Sequence, residues 1–257
     1  MWSLRRLEWA LTAVCASVLV SSVAHSQLGF ISEKEIRRQA RVDWLYMKRH
    51  IPLESNERVR TYVQCVANRL IAVLDEEHRN IDWEVVVFDD EQVNASANPD
   101  GKIAVLNGLL KVADTPDALA AVLGHEIAHA TQNHVMDRAR KGARTDMLVL
   151  LGGAVTGMRD VARDVGTIGL VLPYAREQES DADRVGLSYM AEAGFDPRAA
   201  LYLWKNMAAV NKNRPPEFLS SHPSDDVRLD TIVKSITPAL IDYNAAREAG
   251  RRPNCQM

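Results

Sequence analysis

The run His125-Glu126-Ile127-Ala128-His129 constrains this chain more than any other feature, because it asks one stretch of helix to present two imidazoles and a carboxylate together. Residues four apart lie on one helix face, so both rings can reach a single cation. Glu126, next to the first of them, can take the proton of a water held by that cation. The flanking residues predict the helix. Thr115-Pro116-Asp117 offers a cap, a first-turn proline and an acid against the helix dipole. Leu119, Val122, Leu123 and Ile127 follow at helical spacing, and the helix is expected to run to about Arg140.

The first 26 residues read as an export signal rather than as part of the fold. Arg5 and Arg6 precede the apolar stretch Leu11 to Val20, and Ala24-His25-Ser26 offers a cleavage site before Gln27. The apolar run is short for a membrane span. An uncleaved anchor is one alternative, and a lipid on Cys15, after Leu11-Thr12-Ala13-Val14, is another. Cleavage after Ser26 leaves 231 residues (257 less 26), enough for one sizeable core. Losing Arg5, Arg6 and Glu8 takes the net charge from −3 to −4 and leaves no basic patch, which argues against nucleic acid as a partner. Cys65 and Cys255 remain. In an oxidising compartment they could pair, or they could stay as two thiols.

No internal repeat or long linker interrupts the rest, so residues 27–257 are expected to form a single domain, with 238–257 as its tail. Helices are predicted over Ser32 to Arg49 and from Asn56, as cap, to about Leu74. Trp83 to Phe88 and Lys102 to Leu106 read as strands, with Asp89 to Asn98 turn-like between them. Met147 to Leu172 is apolar and dotted with glycine, but Arg159, Asp160, Arg163 and Asp164 exclude a membrane span. Further helices are predicted over Glu177 to Ala193, from Asp196-Pro197 to about Asn211, and as two short pieces at the end. The expected class is α+β, mostly helical, with a small β-sheet beside the His125–His129 helix.

Two histidines leave a catalytic zinc ion short of ligands, since such sites take three protein groups and keep a fourth position for water. His134 follows His129 by five residues, not the six used where a third histidine ligates, and Gln132 stands where that pattern has glycine. On a continuing helix His134 would also point well off the metal side, so it reads as a structural or surface histidine. Glu179, in Glu177-Gln178-Glu179-Ser180-Asp181-Ala182-Asp183, is the better third ligand, with Asp183 on the same face to hold a ligand imidazole. Taken alone, this acidic run fits a solvated helix face. Its place, fifty residues after His129 and just before Arg184-Val185-Gly186, favours the ligand.

These motifs together resemble the gluzincin zinc peptidases of the HtpX and CAAX-prenyl-protease type, whose H-E-x-x-H is followed by E-x-x-x-D on a later helix. Residues Glu177 to Gly186 are similar to the exported bacterial branch of that family, the branch of the β-barrel assembly-enhancing proteases. So are Asn94-Ala95, Gly101-Lys102-Ile103, Gly108-Leu109-Leu110, Ala193-Gly194-Phe195-Asp196-Pro197, and Ser221-His222-Pro223 with Arg228. The resemblance spans roughly residues 30 to 235. It departs at Ser96, where the branch carries an aromatic residue, and the branch's helical repeats do not follow in this sequence.

The resemblance implies a zincin-like domain holding one Zn2+ through His125, His129 and Glu179, with Glu126 as general base. It further implies that His222 donates to the oxyanion, supported by Arg228, or else fills the open zinc position at rest. Substrate is expected along an edge strand at Lys102, Ile103, Ala104 and Val105. Expected partners are unfolded or misassembled envelope polypeptides, with peripheral contact to a membrane or to outer-membrane assembly machinery, in the periplasm. Residues 147–172 would form a lid, plug or membrane-touching loop, or an ordinary buried hairpin. A zinc-binding, chaperone-like factor that cuts rarely is the rival function. A purely structural zinc site fits poorly, because only three ligands leave a position open.

Overall fold

The cap and spacing rules that predict each helix also decide which groups face inward. The computed structural model describes residues 32–141, 175–209, 218–219, 222 and 226–257. The expected export signal at 1–26 and the segment at 147–172 lie outside the described residues. Helix α1 (Glu33–His50) is followed by α2 (Glu57–Ile71), whose cap Asn56 accepts the Arg58 N–H. After the short α3 (Glu76–Arg79) come the strands β1 (Glu84–Phe88), β2 (Ala95–Ala97) and β3 (Lys102–Leu106), and then a 3-10 turn, Asn107–Lys111.

Helix α4 (Pro116–Thr131) begins at Thr115, whose side chain accepts the Ala118 N–H. Thirteen of its sixteen residues are buried, so it presents its histidines to the interior rather than to a surface. It stops earlier than its periodicity suggests. Asn133 adopts φ 60, the left-handed region that asparagine tolerates, and a new helix, α5 (134–141), starts in another direction. Helix α6 (Arg176–Glu192) ends before Gly194, whose φ of +88 suits only glycine. Helices α7 (Ala199–Ala209) and α8 (Asp226–Glu248) complete the order. One long helix thus replaces the two short ones expected. Pro238 lies inside α8, where burial of Ile232, Ala239 and Ala246 offsets the lost backbone hydrogen bond.

The sheet runs β1-β3-β2. Strand β3 is parallel to β1 (Glu84↔Lys102 through Phe88↔Leu106) and antiparallel to β2 (Ala95↔Val105, Ala97↔Ile103). This corrects the edge strand expected at Lys102, Ile103, Ala104 and Val105: both sides of that backbone are already hydrogen-bonded. The edge is β2. Its Ala-Ser-Ala carries no β-branched or aromatic residue, so nothing distinguished it from a turn. Side chains alternate along β3. Ile103 and Val105 join the main core with Val66, Leu70, Leu119 and Leu123, while Ala104 faces Trp44 and Phe88 under α1.

The architecture is α+β, mostly helical with a small mixed sheet, and Glu33–Met257 forms one compact unit. Among the described residues no helix is long and apolar enough to cross a membrane. A disulfide joins Cys65 on α2 to Cys255, holding the C-terminal segment on the core across 190 residues of chain. Arg251 in that segment donates to the Glu192 carbonyl.

Helices α4 and α6 touch backbone to backbone. A Cβ on Gly186 would lie 2.8 Å from His125 N and 2.9 Å from Gly124 C, and one on Gly124 would lie 2.9 Å from Gly186 O. Backbone cannot retreat as a flexible side chain can, so Gly186→Ala must push the helices apart. We expect this substitution to cost about 1–3 kcal/mol in urea unfolding. A loss under about 0.5 kcal/mol, the scatter of neutral surface changes, would contradict the packing argument.

Candidate metal centre

Five buried polar side chains from two helices and one loop histidine meet behind β2. Helix α4 supplies His125, Glu126 and His129, α6 supplies Glu179 and Asp183, and His222 arrives between α7 and α8. His125 Nε2 lies 3.0 Å from His129 Nε2 and 3.2 Å from His222 Nδ1. Glu179 Oε1 is 3.3 Å from His129 Nε2 and 3.1 Å from His222 Nδ1, while Oε2 is 3.5 Å from His125 Nε2. One donor atom from each of these four residues lies within 4.8 Å of every other.

Those separations fit the edges of a coordination shell. Bonds of about 2.0–2.2 Å in tetrahedral array put neighbouring donors about 3.3–3.6 Å apart. Two imidazoles, a carboxylate and a third imidazole also match the nitrogen and oxygen preferences of zinc. The four residues could therefore hold a metal ion, and all four are buried.

The surroundings orient the donors. Asp183 Oδ1 sits 2.9 Å from His125 Nδ1, the nitrogen facing away from the cluster. Arg228, from α8 and only 2% exposed, grips both Asp183 oxygens at 2.8 Å through Nε and Nη2. Its Nη1 reaches Glu179 Oε2 at 2.6 Å and donates to the His222 carbonyl at 3.1 Å. The guanidinium also stacks on Trp204, 4.1 Å from the ring centre. Phe218 stacks on the His222 ring at 4.4 Å, one helical turn before it. Neither aromatic was singled out in the sequence. Phe218 and His222 are four apart, a pairing that a helical reading of that loop would have shown, whereas nothing marks Trp204.

Glu126 has a separate place. Its Oε2 accepts the Ala97 N–H from β2 at 3.0 Å. Its Oε1 has no hydrogen-bond donor among the described residues and faces His222 Nε2 at 3.3 Å. His134, read earlier as structural or surface, is buried with its Nδ1 3.1 Å from His129 Nδ1. The break at Asn133, rather than a continuing helix, puts it there.

Charges in the cluster are strongly coupled. Burial would lower the His125 pKa, but Asp183 and Glu179 outweigh it and lift it to about 9. Burial holds His129 well below 6.5, against the pull of Glu179 and with the help of the charge on His125. Burial alone would raise both carboxyls. Hydrogen bonds from His125, His129 and His222 hold Glu179 well below the usual range, and Arg228 with His125 does the same for Asp183. In the metal-free cluster these shifts favour the charged form of His125 and the neutral form of His129.

A helix bearing H-E-x-x-H, completed by a carboxylate from a second helix, is the arrangement of a metallopeptidase. The chain matches the model of peptidase family M48 over residues 57–236, and it belongs to that family. It is 34% identical over 183 residues to the mitochondrial metalloendopeptidase OMA1 of Schizosaccharomyces pombe, covering 70% of this chain and 54% of that protein. Similarity to OMA1 of Arabidopsis thaliana is 34% over 173 residues, 66% of this chain and 35% of that one. The beta-barrel assembly-enhancing protease of Escherichia coli is 27% identical over 194 residues, 69% of this chain and 39% of that one. The chain thus spans between 35% and 54% of the length of these relatives. These similarities establish the family and not the HtpX and CAAX-prenyl-protease type within it.

The pKa shifts set the pH dependence of protein stripped of metal by a chelator. His125, raised from 6.5 to about 9, stabilises the fold fully below pH 6.5, and that contribution is lost as the pH rises through 9. His129 acts oppositely. Its value is depressed below 6.5, so toward acid the unfolded chain binds the proton first and stability falls. Asp183, also depressed, adds to the loss in acid. We expect the urea midpoint of the metal-free protein to peak near pH 6.5 and to decline toward pH 9. A midpoint climbing steadily between those two values would contradict the charge assignment.

Proposed function

We propose that the chain is a zinc-dependent endopeptidase that cleaves unfolded or misassembled polypeptides of the cell envelope. The observation that carries this reading is the position of Glu126, with one oxygen held by β2 and the other turned, undonated, toward the four-donor cluster. His125, His129 and Glu179 would hold zinc, which would supply a Lewis acid able to polarise a carbonyl and to lower the pKa of a water to about 7. Glu126 Oε1 takes the proton of the attacking water and returns it to the leaving amine. His222, carried by Arg228 and Phe218, donates to the carbonyl oxygen as that oxygen gains charge. Asp183 keeps His125 in the tautomer whose Nε2 faces the ion.

Substrate pairs with β2. Leu106 N–H bonds to Asn94 O and Asn98 N–H to Lys102 O, so residues 94 and 98 turn toward β3. With the alternation of a strand, Ala95 turns its N–H and carbonyl outward and Ala97 its carbonyl, while the Ala97 N–H is already given to Glu126. An extended peptide added there is read by its main chain, which suits unfolded clients of varied sequence. Residues 1–26 direct export to the periplasm, where the disulfide between Cys65 and Cys255 is stable. The name of the Escherichia coli relative motivates β-barrel assembly as a setting for its clients.

A second reading rests on His222 Nδ1, which lies in the donor shell 3.1 Å from Glu179 Oε1 and 3.2 Å from His125 Nε2. Ligated there, His222 closes the site, and the protein acts as a zinc-binding assembly factor that holds clients and cuts rarely. His222→Ala separates the two: cleavage falls if the ring is a donor and rises if it is a plug.

The principal experiment compares the zinc-loaded full chain with Glu126→Gln on an unfolded, carboxymethylated protein. We expect cleavage to fall by about 10²–10⁴-fold with zinc still bound one per chain. Equal rates would reject the catalytic assignment.

A further inference from the structure

An imidazole that binds metal through one nitrogen has its ring fixed by whatever the other nitrogen meets. For His125 that group is Asp183, at 2.9 Å. His129 turns Nε2 toward Glu179 and His125, so its Nδ1 points out of the cluster, where His134 Nδ1 lies 3.1 Å away. The His134 side chain is 10% exposed, and its ring meets that of His129 at 68° with centres 5.2 Å apart.

The backbone is shaped for this contact. On an unbroken helix, a residue five positions on lies about 140° around the axis and cannot return to the first. Helix α4 instead ends at Thr131, Asn133 takes φ 60, and helix α5 begins at His134 itself. The far side of His134 faces α6: Asp181 Oδ2 lies 3.6 Å from Nε2. Asp181, itself paired with Arg184, lies beyond hydrogen-bond reach, but its charge on that side favours the neutral tautomer with its proton on Nε2, leaving Nδ1 to accept a hydrogen bond.

We propose that His134 is a positioning residue for the metal site: its Nδ1 accepts the Nδ1–H of His129 and so directs the Nε2 lone pair at the ion. The proposal rests on the reading of His129 as a metal ligand. It makes the turn at Gln132–Asn133 part of the site, and α6 steers both ligand histidines, one through Asp183 and the other through Asp181 and His134.

The test is zinc affinity of the full chain, read by competition with a chromophoric chelator, zinc alone being the probe. His134→Phe fills the space without an acceptor, while His134→Gln restores a carbonyl oxygen. We expect the phenylalanine variant to bind zinc about 10–100-fold more weakly, and glutamine to recover most of that loss. A purely structural role would not separate variants of equal stability by their acceptor. Affinities within twofold of wild type for the folded phenylalanine variant would overturn the proposal and leave the metal site standing. No zinc binding by the wild type would overturn both. If His134→Phe fails to fold, imidazole 1H–15N spectra of the zinc-loaded wild type decide. A slowly exchanging Nδ1–H on His129 supports the proposal, and a proton on His129 Nε2 overturns it.

Discussion

Two carboxylates buried on one helix have to be neutralised, and much of this structure is arranged to do so. Glu179 and Asp183 stand one turn apart on α6, 1% and 5% exposed, where an uncompensated charge would cost several kcal/mol. Arg228 answers both at once and so ties α8 to α6. Its planar fork matches the two Asp183 oxygens, and Trp204 covers its face. A lysine could satisfy one partner but not this geometry. The same guanidinium holds the His222 carbonyl, so neutralising the acids also places the loop histidine. Positive charge on His125 supplies the remainder in the metal-free protein, and a divalent cation takes that role when bound.

Bringing α6 this close to α4 requires small residues where the helices cross. Gly124 and Gly186 meet there, beside His125. The ligand helix is buried nearly all round, so the positions of its imidazoles are set by packing on every side rather than by one apolar stripe. On its other flank lies β2, whose Ala97 N–H is donated to Glu126 and fixes that carboxylate against the strand. Fold and site are thus the same set of contacts. Loosening the crossing at Gly186 should be felt in stability and metal binding alike.

What could be read from residue order was what repeats with a local period. The cap at Thr115, the histidines at 125 and 129 and the carboxylates at 179 and 183 all obey helical spacing, and the structure brings them together. Three features had no such mark. Strand β2 is three small residues whose strand character comes only from pairing with β3. His134 was judged on a continuing helix, because the left-handed turn at Asn133 is a tertiary choice that asparagine permits without requiring. Two short helices were expected where α8 runs as one through Pro238, its packing offsetting the lost backbone hydrogen bond. The expected edge at 102–105 failed for the related reason that strand order is not a local property.

The central claim is that α4 and α6 converge on one ion, and anomalous diffraction at the zinc edge from zinc-loaded crystals of the full chain tests it most directly. A single peak should lie about 2.0–2.2 Å from His125 Nε2, His129 Nε2 and a Glu179 oxygen. A peak elsewhere, or one bound by the two imidazoles with Glu179 turned away toward Arg228 alone, would contradict the account.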